Sequence, residues 1–325
     1  MKRLTLIAFT TLAALAVASC SKIEPLSPYT DTARQMTMTA QGDNVVIFMG
    51  GSGKTTIDWG DGSVDTYIIR DTLPYGFHSY SDAIPHAITI KSENITYLQC
   101  SGGLTALDVS KNTALTQLWC GGNQLTTLDV SKNAALTELE CIDNQLAALN
   151  LSGVSALMQL QCDKNQLTAL DVSNNLALTG IFCNNNQLTS LDVSKNPALT
   201  TLYCDYNQLT SLNIENNLAL TRLSCPSNKL ATLDLSGAPT LTVLYCDSNR
   251  LATLDLSRNP ALRYLYCPYN PLQIAALNDM FGTLPDSYGT NWGNIYLDYN
   301  QGMADISIAT AKGWTVIITG KHDDP

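Results

Sequence analysis

Apolar and polar residues alternate in short segments along most of the chain, and from residue 95 to about residue 272 the alternation repeats with a fixed period. In each repeat an apolar residue is followed two positions later by cysteine, and the cysteines stand 21 residues apart after a first spacing of 20. A constant period of this length is typical of a solenoid, in which each turn of chain buries its apolar face only against its neighbours.

One repeat, Leu136 to Ser152, reads LTELECIDNQLAALNLS. Leu139 and Cys141 alternate with Glu138 and Glu140, which is the period of a β-strand, so leucine and cysteine should face inward and the glutamates outward. Stacking such repeats predicts a parallel sheet of about nine strands, roughly 4.8 Å apart. The short period leaves little room for a helix on the return path, so extended or 3₁₀-like segments are expected there.

The repeated pattern L-x-x-L-x-C-x-x-N-x-L-x-x-L-D-V-S resembles the leucine-rich repeat, with cysteine where leucine usually stands. It is most similar to the 21-residue cysteine-ladder repeats of internalin-type proteins and of lipoproteins from Bacteroides-like bacteria. The resemblance covers residues 95–272 and implies a mostly β fold. It would be a leucine-rich-repeat solenoid with its parallel sheet on the concave face and extended or 3₁₀ segments on the convex side.

The cysteines invite a metal or disulfide interpretation, but their geometry argues against both. Parallel side chains do not converge as zinc ligands do, and Cβ vectors that point the same way do not suit disulfides. We therefore predict a structural ladder of buried free thiols that pack as small apolar groups. The full set is Cys100, Cys120, Cys141, Cys162, Cys183, Cys204, Cys225, Cys246 and Cys267.

An asparagine recurs three residues after each cysteine from Cys120 onward. A short amide at this turn should pair with otherwise unsatisfied backbone groups of the next repeat. The aspartates of the convex segments, such as Asp129 and Asp171, should hold turn amides. The asparagine column comprises Asn123, Asn144, Asn165, Asn186, Asn207, Asn228, Asn249 and Asn270.

The first residues predict a secretory signal. Lys2 and Arg3 precede an apolar run over residues 4–17, which is too short to span a bilayer. The sequence Val-Ala-Ser-Cys that ends at Cys20 resembles a bacterial lipobox. That resemblance implies cleavage before Cys20 and lipidation of its thiol. An ordinary signal peptide with an incidental cysteine is the alternative.

This interpretation divides the N-terminal region into a lipoprotein signal peptide, residues 1–19, and a lipidated tether, residues 20–34. Ser21 and Lys22 follow the cysteine, so the aspartate that marks inner-membrane retention in similar enterobacterial lipoproteins is missing. We therefore expect a protein held at the outer membrane or cell surface by its lipid anchor alone.

Residues 35–94 contain short alternating segments separated by Gly-rich turns, which predict a small β-sandwich. The sequence WGDGS at residues 59–63, followed by His78-Ser79-Tyr80, resembles the hairpin and strand of PKD-like domains. Such a domain would act as a spacer and cover the first repeat.

The period ends after Cys267. Residues 273–325 predict an α/β C-terminal cap that protects the open end of the solenoid. Its expected elements are helices over residues 273–284 and 304–312 and strands over residues 295–297 and 314–318.

Charge and composition narrow the function classes. With 18 Lys+Arg against 28 Asp+Glu the net charge is −10, the opposite of what nucleic-acid binding normally requires. Three histidines far apart in the sequence leave little for a metal site or an acid–base catalyst. No nucleophile and base pair is recognisable, so we expect a non-enzymatic protein without a cofactor or bound metal, and a monomer.

Outward-facing positions carry no packing duty and are therefore informative. Exposed Tyr and Trp are common anchors of binding surfaces, although cross-strand stacking that only stiffens the sheet is an alternative. The resemblance to internalin-type repeats implies a protein partner, including a host protein, for an adhesion or interaction module. A glycan, which also stacks on aromatic rings beside carboxylates, is the alternative ligand. The predicted concave binding residues are Trp119, Phe182, Tyr203, Tyr206, Tyr245, Tyr264, Tyr266, Tyr269, Asp205 and Asp247.

Overall fold

The computed structural model describes residues 34–71, 75–82, 84–287 and 293–319. The predicted signal peptide, Cys20 and all of the predicted tether except Arg34 lie outside these residues. Within the described part of the chain, no helix is long and apolar enough to cross a membrane.

Six strands precede the first complete repeat. β2 and β5 pair antiparallel along two stretches that are separated by register shifts near Gly51. At this bend Gly51 has φ +140°, and a Cβ there would collide with the carbonyl oxygen of Asn94. The first part of β2 pairs with β4 and the second with β3, so two groups of strands are joined through β2 and β5. The six strands are β1 (Arg34–Ala40), β2 (Asn44–Asp58), β3 (Val64–Arg70), β4 (Tyr75–Ser79), β5 (His86–Ser101) and β6 (Leu104–Asp108).

The end of β5 starts the parallel sheet of the repeats, since Tyr97–Gln99 pairs with β7. Eight three-residue strands follow in register, each pairing leucine or isoleucine with the equivalent residue of its neighbour. Together with β5 they confirm the predicted nine-stranded leucine-rich-repeat sheet. They are β7 (Gln117–Trp119), β8 (Glu138–Glu140), β9 (Gln159–Gln161), β10 (Gly180–Phe182), β12 (Thr201–Tyr203), β14 (Arg222–Ser224), β15 (Val243–Tyr245) and β16 (Tyr264–Tyr266).

The inward columns form the core. Every inward leucine, isoleucine and cysteine of these nine strands is at most 1% exposed, and all nine ladder cysteines are free thiols. Some thiols donate weak hydrogen bonds to the next strand, such as Cys204 Sγ to the carbonyl oxygen of Ser224 at 3.4 Å. Burial raises the pKa of the ladder thiols, to about 12 for Cys100, so they stay protonated. The prediction of a buried thiol ladder is confirmed.

The asparagine column is also confirmed, but its partners lie in its own repeat and the preceding one, not in the next one. Asn186 Nδ2 donates to the carbonyl oxygens of Cys162 and Cys183 at 3.0 and 3.2 Å, and its Oδ1 accepts from Leu167 N at 3.0 Å. The predicted direction was wrong because the equivalent groups of the following repeat already have partners. Asn228 Nδ2 donates to the carbonyl oxygen of Cys204, and Asn228 Oδ1 accepts from Leu209 N.

A second buried asparagine column, which the sequence analysis missed, lies on the return path. Asn196 Nδ2, for example, donates to the carbonyl oxygens of Val172 and Asn175 at 3.1 and 2.9 Å. Val154 and Ala238 interrupt this column. Its members are at most 1% exposed: Asn112, Asn133, Asn175, Asn196, Asn217 and Asn259.

The return path, here called the turn side, is extended as expected. β11 (Ser190–Asp192) and β13 (Ser211–Asn213) pair in parallel there, and i→i+3 hydrogen bonds such as Leu136 N to Asn133 O turn the chain. The turn-side aspartates hold turn amides as predicted, with Ser131 N donating to Asp129 Oδ1 at 2.9 Å. Hydrogen bonds from Ser131 lower the pKa of Asp129.

The parallel sheet continues past the last cysteine. β17 (Gly293–Asp298) pairs with β16, and β18 (Trp314–Thr319) pairs with β17, both in parallel. The predicted first helix is α1 (Ile274–Thr283). The second, α2 (Ser307–Thr310), is shorter than predicted, and a 3₁₀-helix capped by Asp298, Tyr299–Met303, precedes it.

Candidate functional site

The outward side chains of the repeat strands form two parallel rows, here called the outer face of the sheet. Because neighbouring strands pair in register, each outward residue lies beside the equivalent residue of the next strand. The first row precedes the cysteines or their equivalents: Gln99, Trp119, Glu140, Gln161, Phe182, Tyr203, Ser224, Tyr245, Tyr266 and Tyr296. The second row lies two residues earlier: Tyr97, Gln117, Glu138, Gln159, Gly180, Thr201, Arg222, Val243, Tyr264 and Asn294.

Four tyrosines of three adjacent strands gather on this face and form the C-terminal tyrosine patch: Tyr245, Tyr264, Tyr266 and Tyr296. The ring of Tyr264 lies 5.1 Å from those of Tyr245 and Tyr296, and the ring of Tyr266 lies 6.0 and 5.4 Å from the same two. The rings are tilted by 38 to 43°. Burial and hydrogen bonds with Tyr245 and Tyr296 raise the pKa of Tyr264, which keeps its hydroxyl neutral.

Two further aromatic pairs lie on the same face. Phe182 and Tyr203 contact edge to face at 5.2 Å, and Tyr97 and Trp119 do so at 5.4 Å. Such arrangements add about 0.5–1.5 kcal/mol beyond area burial. All four side chains are half-buried, so each ring is held by its neighbours while part of it remains open.

Tyr206 and Tyr269 occupy a different position, two residues after a cysteine, where the backbone is left-handed. Their φ values are 53° and 59°, and the residues are 50% and 38% exposed. These two side chains therefore lie at the turn that leaves the strand, beside the outer face but outside its two rows. Their spacing from Cys204 and Cys267 already indicated this position.

The two predicted acids are less open than expected. Asp247 is only 8% exposed, which corrects the expectation of a carboxylate displayed beside the tyrosines, and Ser248 Oγ donates to it at 3.3 Å. Burial raises the pKa of Asp205 to about 6, against a hydrogen bond from Ser224 that lowers it. Both residues follow a cysteine, where the chain leaves the strand and the side chain turns into the stack.

The chemistry available on this face is that of neutral hydroxyls, rings and a few charges. Glu138 accepts from Gln117 Nε2 at 2.9 Å, and Arg222 is exposed on the far half of the second row. Among the described residues, no three His, Cys, Asp or Glu side chains converge as metal ligands would. The face suits contact binding through rings and hydrogen bonds.

Sequence analysis missed Tyr296 because the cysteine period had ended and the cap was read as a cover only. The signal was present: Ile295 and Leu297 alternate with it, and this alternation predicts that Tyr296 faces outward. The pairing of Leu265 with Ile295 then puts Tyr296 beside Tyr266.

Solved structures resemble this fold. The functional domain of InlJ from Listeria monocytogenes, which includes a cysteine ladder, is 35% identical with a TM-score of 0.60, covering 69% of this chain and 48% of that one. YopM from Yersinia enterocolitica WA-314 is 26% identical with a TM-score of 0.42, covering 50% of this chain and 34% of that one. This chain thus spans about half the length of the Listeria chain. No protein-family model and no curated protein matches it.

Proposed function

We propose that this protein is a non-enzymatic, lipid-anchored protein of the cell envelope that binds a protein partner on the outer face of its repeat sheet. The observation that carries the proposal is the C-terminal tyrosine patch, because four partly open tyrosines meet where the fold itself asks only for polar residues. Tyrosine is enriched among residues that dominate binding energy in protein interfaces.

The packing of the patch supports this use. Ring centroids 5.1 to 6.0 Å apart hold one another in place, so little side-chain entropy is lost when a partner covers them. The cysteine and asparagine columns beneath keep the strands in register. A rigid surface of this kind binds without reorganising.

The envelope part of the proposal rests on the apolar run before Cys20 and the lipobox-like residues that end at it. Growth with an alkyne-tagged fatty acid should label the wild-type protein, and Cys20→Ala should abolish the label. Labelling of the Cys20→Ala protein to the wild-type level would contradict lipidation at this thiol. Protease treatment of intact cells would then distinguish cell-surface from internal exposure.

A direct test immobilises residues 21–325 and screens host proteins and a polysaccharide array in parallel. We expect a protein to be captured, and we expect the double variant Tyr245→Ala/Tyr266→Ala to weaken its binding at least tenfold. The matched control is Leu176→Ala/Leu218→Ala, which removes two side chains of the turn side from residues 58% and 62% exposed. Binding of glycans alone would replace the protein partner with the glycan alternative.

A further inference from the structure

The outer face does not stop at the first repeat. β2 pairs with β5 so that Phe48 lies beside Gln99 and Val46 beside Ser101, and β4 pairs with β2 so that Tyr75 lies beside Phe48. Residues directly opposite one another in a sheet share a face. The first outer row therefore runs on from Trp119 through Gln99 and Phe48 to Tyr75 at the edge.

This extension carries a second set of aromatic rings, the N-terminal aromatic patch: Phe48, Tyr75, Phe77, Tyr97 and Trp119. The ring of Tyr75 lies 5.0 Å from that of Phe48 and stacks on Phe77 at 6.2 Å. Tyr75 and Phe77 are 52% and 48% exposed. Rings open to this extent are not accounted for by core packing, and grouped exposed apolar residues mark interaction sites.

Two carboxylates of the outer face lie beside the N-terminal aromatic patch. Glu138 and Glu140 stand side by side in the two rows of β8, which pairs with β7 next to Trp119. Arg222 is the single cation of the two rows from β5 to β16. From β7 to β15 there are six strand steps, which at about 4.8 Å per step is about 29 Å, the reach of roughly nine extended residues.

We propose that the N-terminal aromatic patch is a second anchor on the outer face and that the partner is a protein segment with two apolar ends and a basic residue beside the end that covers this patch. This inference rests on the proposed function, since it takes protein binding at the C-terminal tyrosine patch as given. The apolar ends would cover the two sets of rings, and the basic residue would lie over Glu138, one strand from Trp119 and five from Tyr245. Charge complementarity of this kind sets orientation and selects among partners.

The test uses a displayed library of random 16-residue peptides, selected on the full chain held in detergent. We expect enriched sequences to carry aromatic or aliphatic residues toward both ends and Lys or Arg closer to one end than to the other. A synthetic peptide of the enriched sequence is then titrated against variants. Enrichment without basic residues, or no enrichment, would overturn the proposed chemistry.

Tyr75→Ala/Phe77→Ala should weaken the peptide at least tenfold, while Leu176→Ala/Leu218→Ala should change it less than twofold. Full affinity of the Tyr75→Ala/Phe77→Ala protein, with loss in Tyr245→Ala/Tyr266→Ala, would reject the second anchor and leave the proposed function intact. Full affinity in both double variants would reject both.

A charge-reversal variant tests the proposal even if Tyr75→Ala/Phe77→Ala destabilises the edge strand β4. Glu138→Lys should weaken the basic peptide about tenfold and should bind a matched peptide, with Glu in place of the basic residues, better than wild type does. Equal binding of both peptides by both proteins would contradict the proposed orientation.

Discussion

On the inner side of the repeat sheet each strand places an apolar residue and a cysteine at 0–1% exposure, whereas on the outer side the same strands carry residues as different as Trp119, Glu140, Phe182 and Tyr245. The two sides share one backbone and one register. The two sides differ in their surroundings. An inward residue must fit between the equivalent residues of the two neighbouring repeats, whereas an outward residue meets solvent. Repetition therefore identifies the positions that packing fixes, and departure from repetition identifies the positions that packing leaves free to vary.

The largest expected effect comes from the asparagine column on the inner side. Asn186→Ala should lower the free energy of unfolding by about 1–3 kcal/mol, because buried carbonyl and amide groups of the preceding repeat lose their partners. Urea denaturation measures the change. The control is Gln187→Ala at the next position, which is exposed and should change stability by less than about 0.5 kcal/mol. An unchanged midpoint for Asn186→Ala would show that the asparagine column does not stabilise the fold.

Asp205 lies between the two sides and should make stability depend on pH. Its folded pKa of about 6 is above the ordinary 3.8, so its proton is held more tightly in the fold. The resulting stability is fully present below pH 4 and is lost as pH rises to about 6, a decrease of about 3 kcal/mol.

Turn-side aspartates such as Asp129 have the opposite shift, since their pKa is lowered. Their stabilisation is present above pH 4 and is lost only at lower pH. Urea midpoints at pH 4.5 and 6.5 therefore exclude the turn-side aspartates and report the carboxyls whose pKa burial raises, Asp205, Asp163 and Glu140. Asp205→Asn should reduce the difference between the two midpoints, and an equal difference in the variant would assign it to Asp163 and Glu140.

Substitutions on the outer face should lower the free energy of unfolding by less. Tyr245→Ala/Tyr266→Ala removes partly open rings and their mutual contact, so we expect a loss of about 1–2 kcal/mol at most, with cooperative unfolding retained. Thermal denaturation followed by circular dichroism checks this. A protein that no longer unfolds cooperatively would show that the patch is part of the core.

The smallest effect concerns the left-handed turn after each cysteine. Lys164 has φ 52°, a conformation that favours glycine, so Lys164→Gly should raise stability by about 0.5 kcal/mol. Lys195→Gly, in a turn outside the left-handed set, should instead lower it slightly. Matched urea curves separate the two, and destabilisation of similar size in both would contradict the strain argument.

Much of the fold could be predicted because each repeat packs against its neighbours in the same way. The inward positions of Leu139 and Cys141 follow from the period-two alternation alone. The 21-residue period then predicts nine equivalent strands. The direction of the Asn186 hydrogen bonds could not be predicted, since it depends on which backbone groups the sheet has already used. The second asparagine column also repeats with a period of 21 residues, but the repeats were aligned on their cysteines and this column was not identified.

The candidate site was predictable only where the period held. Tyr245 and Tyr264 could be placed on the outer face from their spacing to Cys246 and Cys267. The burial of Asp247 could not, because the residue stands where the chain leaves the strand and alternation ends. The positions of Phe48 and Tyr75 on this face could not be predicted, because they depend on the antiparallel pairing of β2 with β4 and β5.

Hydroxyl-radical footprinting with and without the captured partner tests whether the outer face of the sheet is the binding surface. Bound partner should reduce oxidation of Tyr245, Tyr264 and Tyr266 and leave the exposed turn-side residues Leu176 and Leu218 unchanged. Protection of Leu176 and Leu218 with full oxidation of the three tyrosines would contradict the claim that the outer face of the sheet is the binding surface.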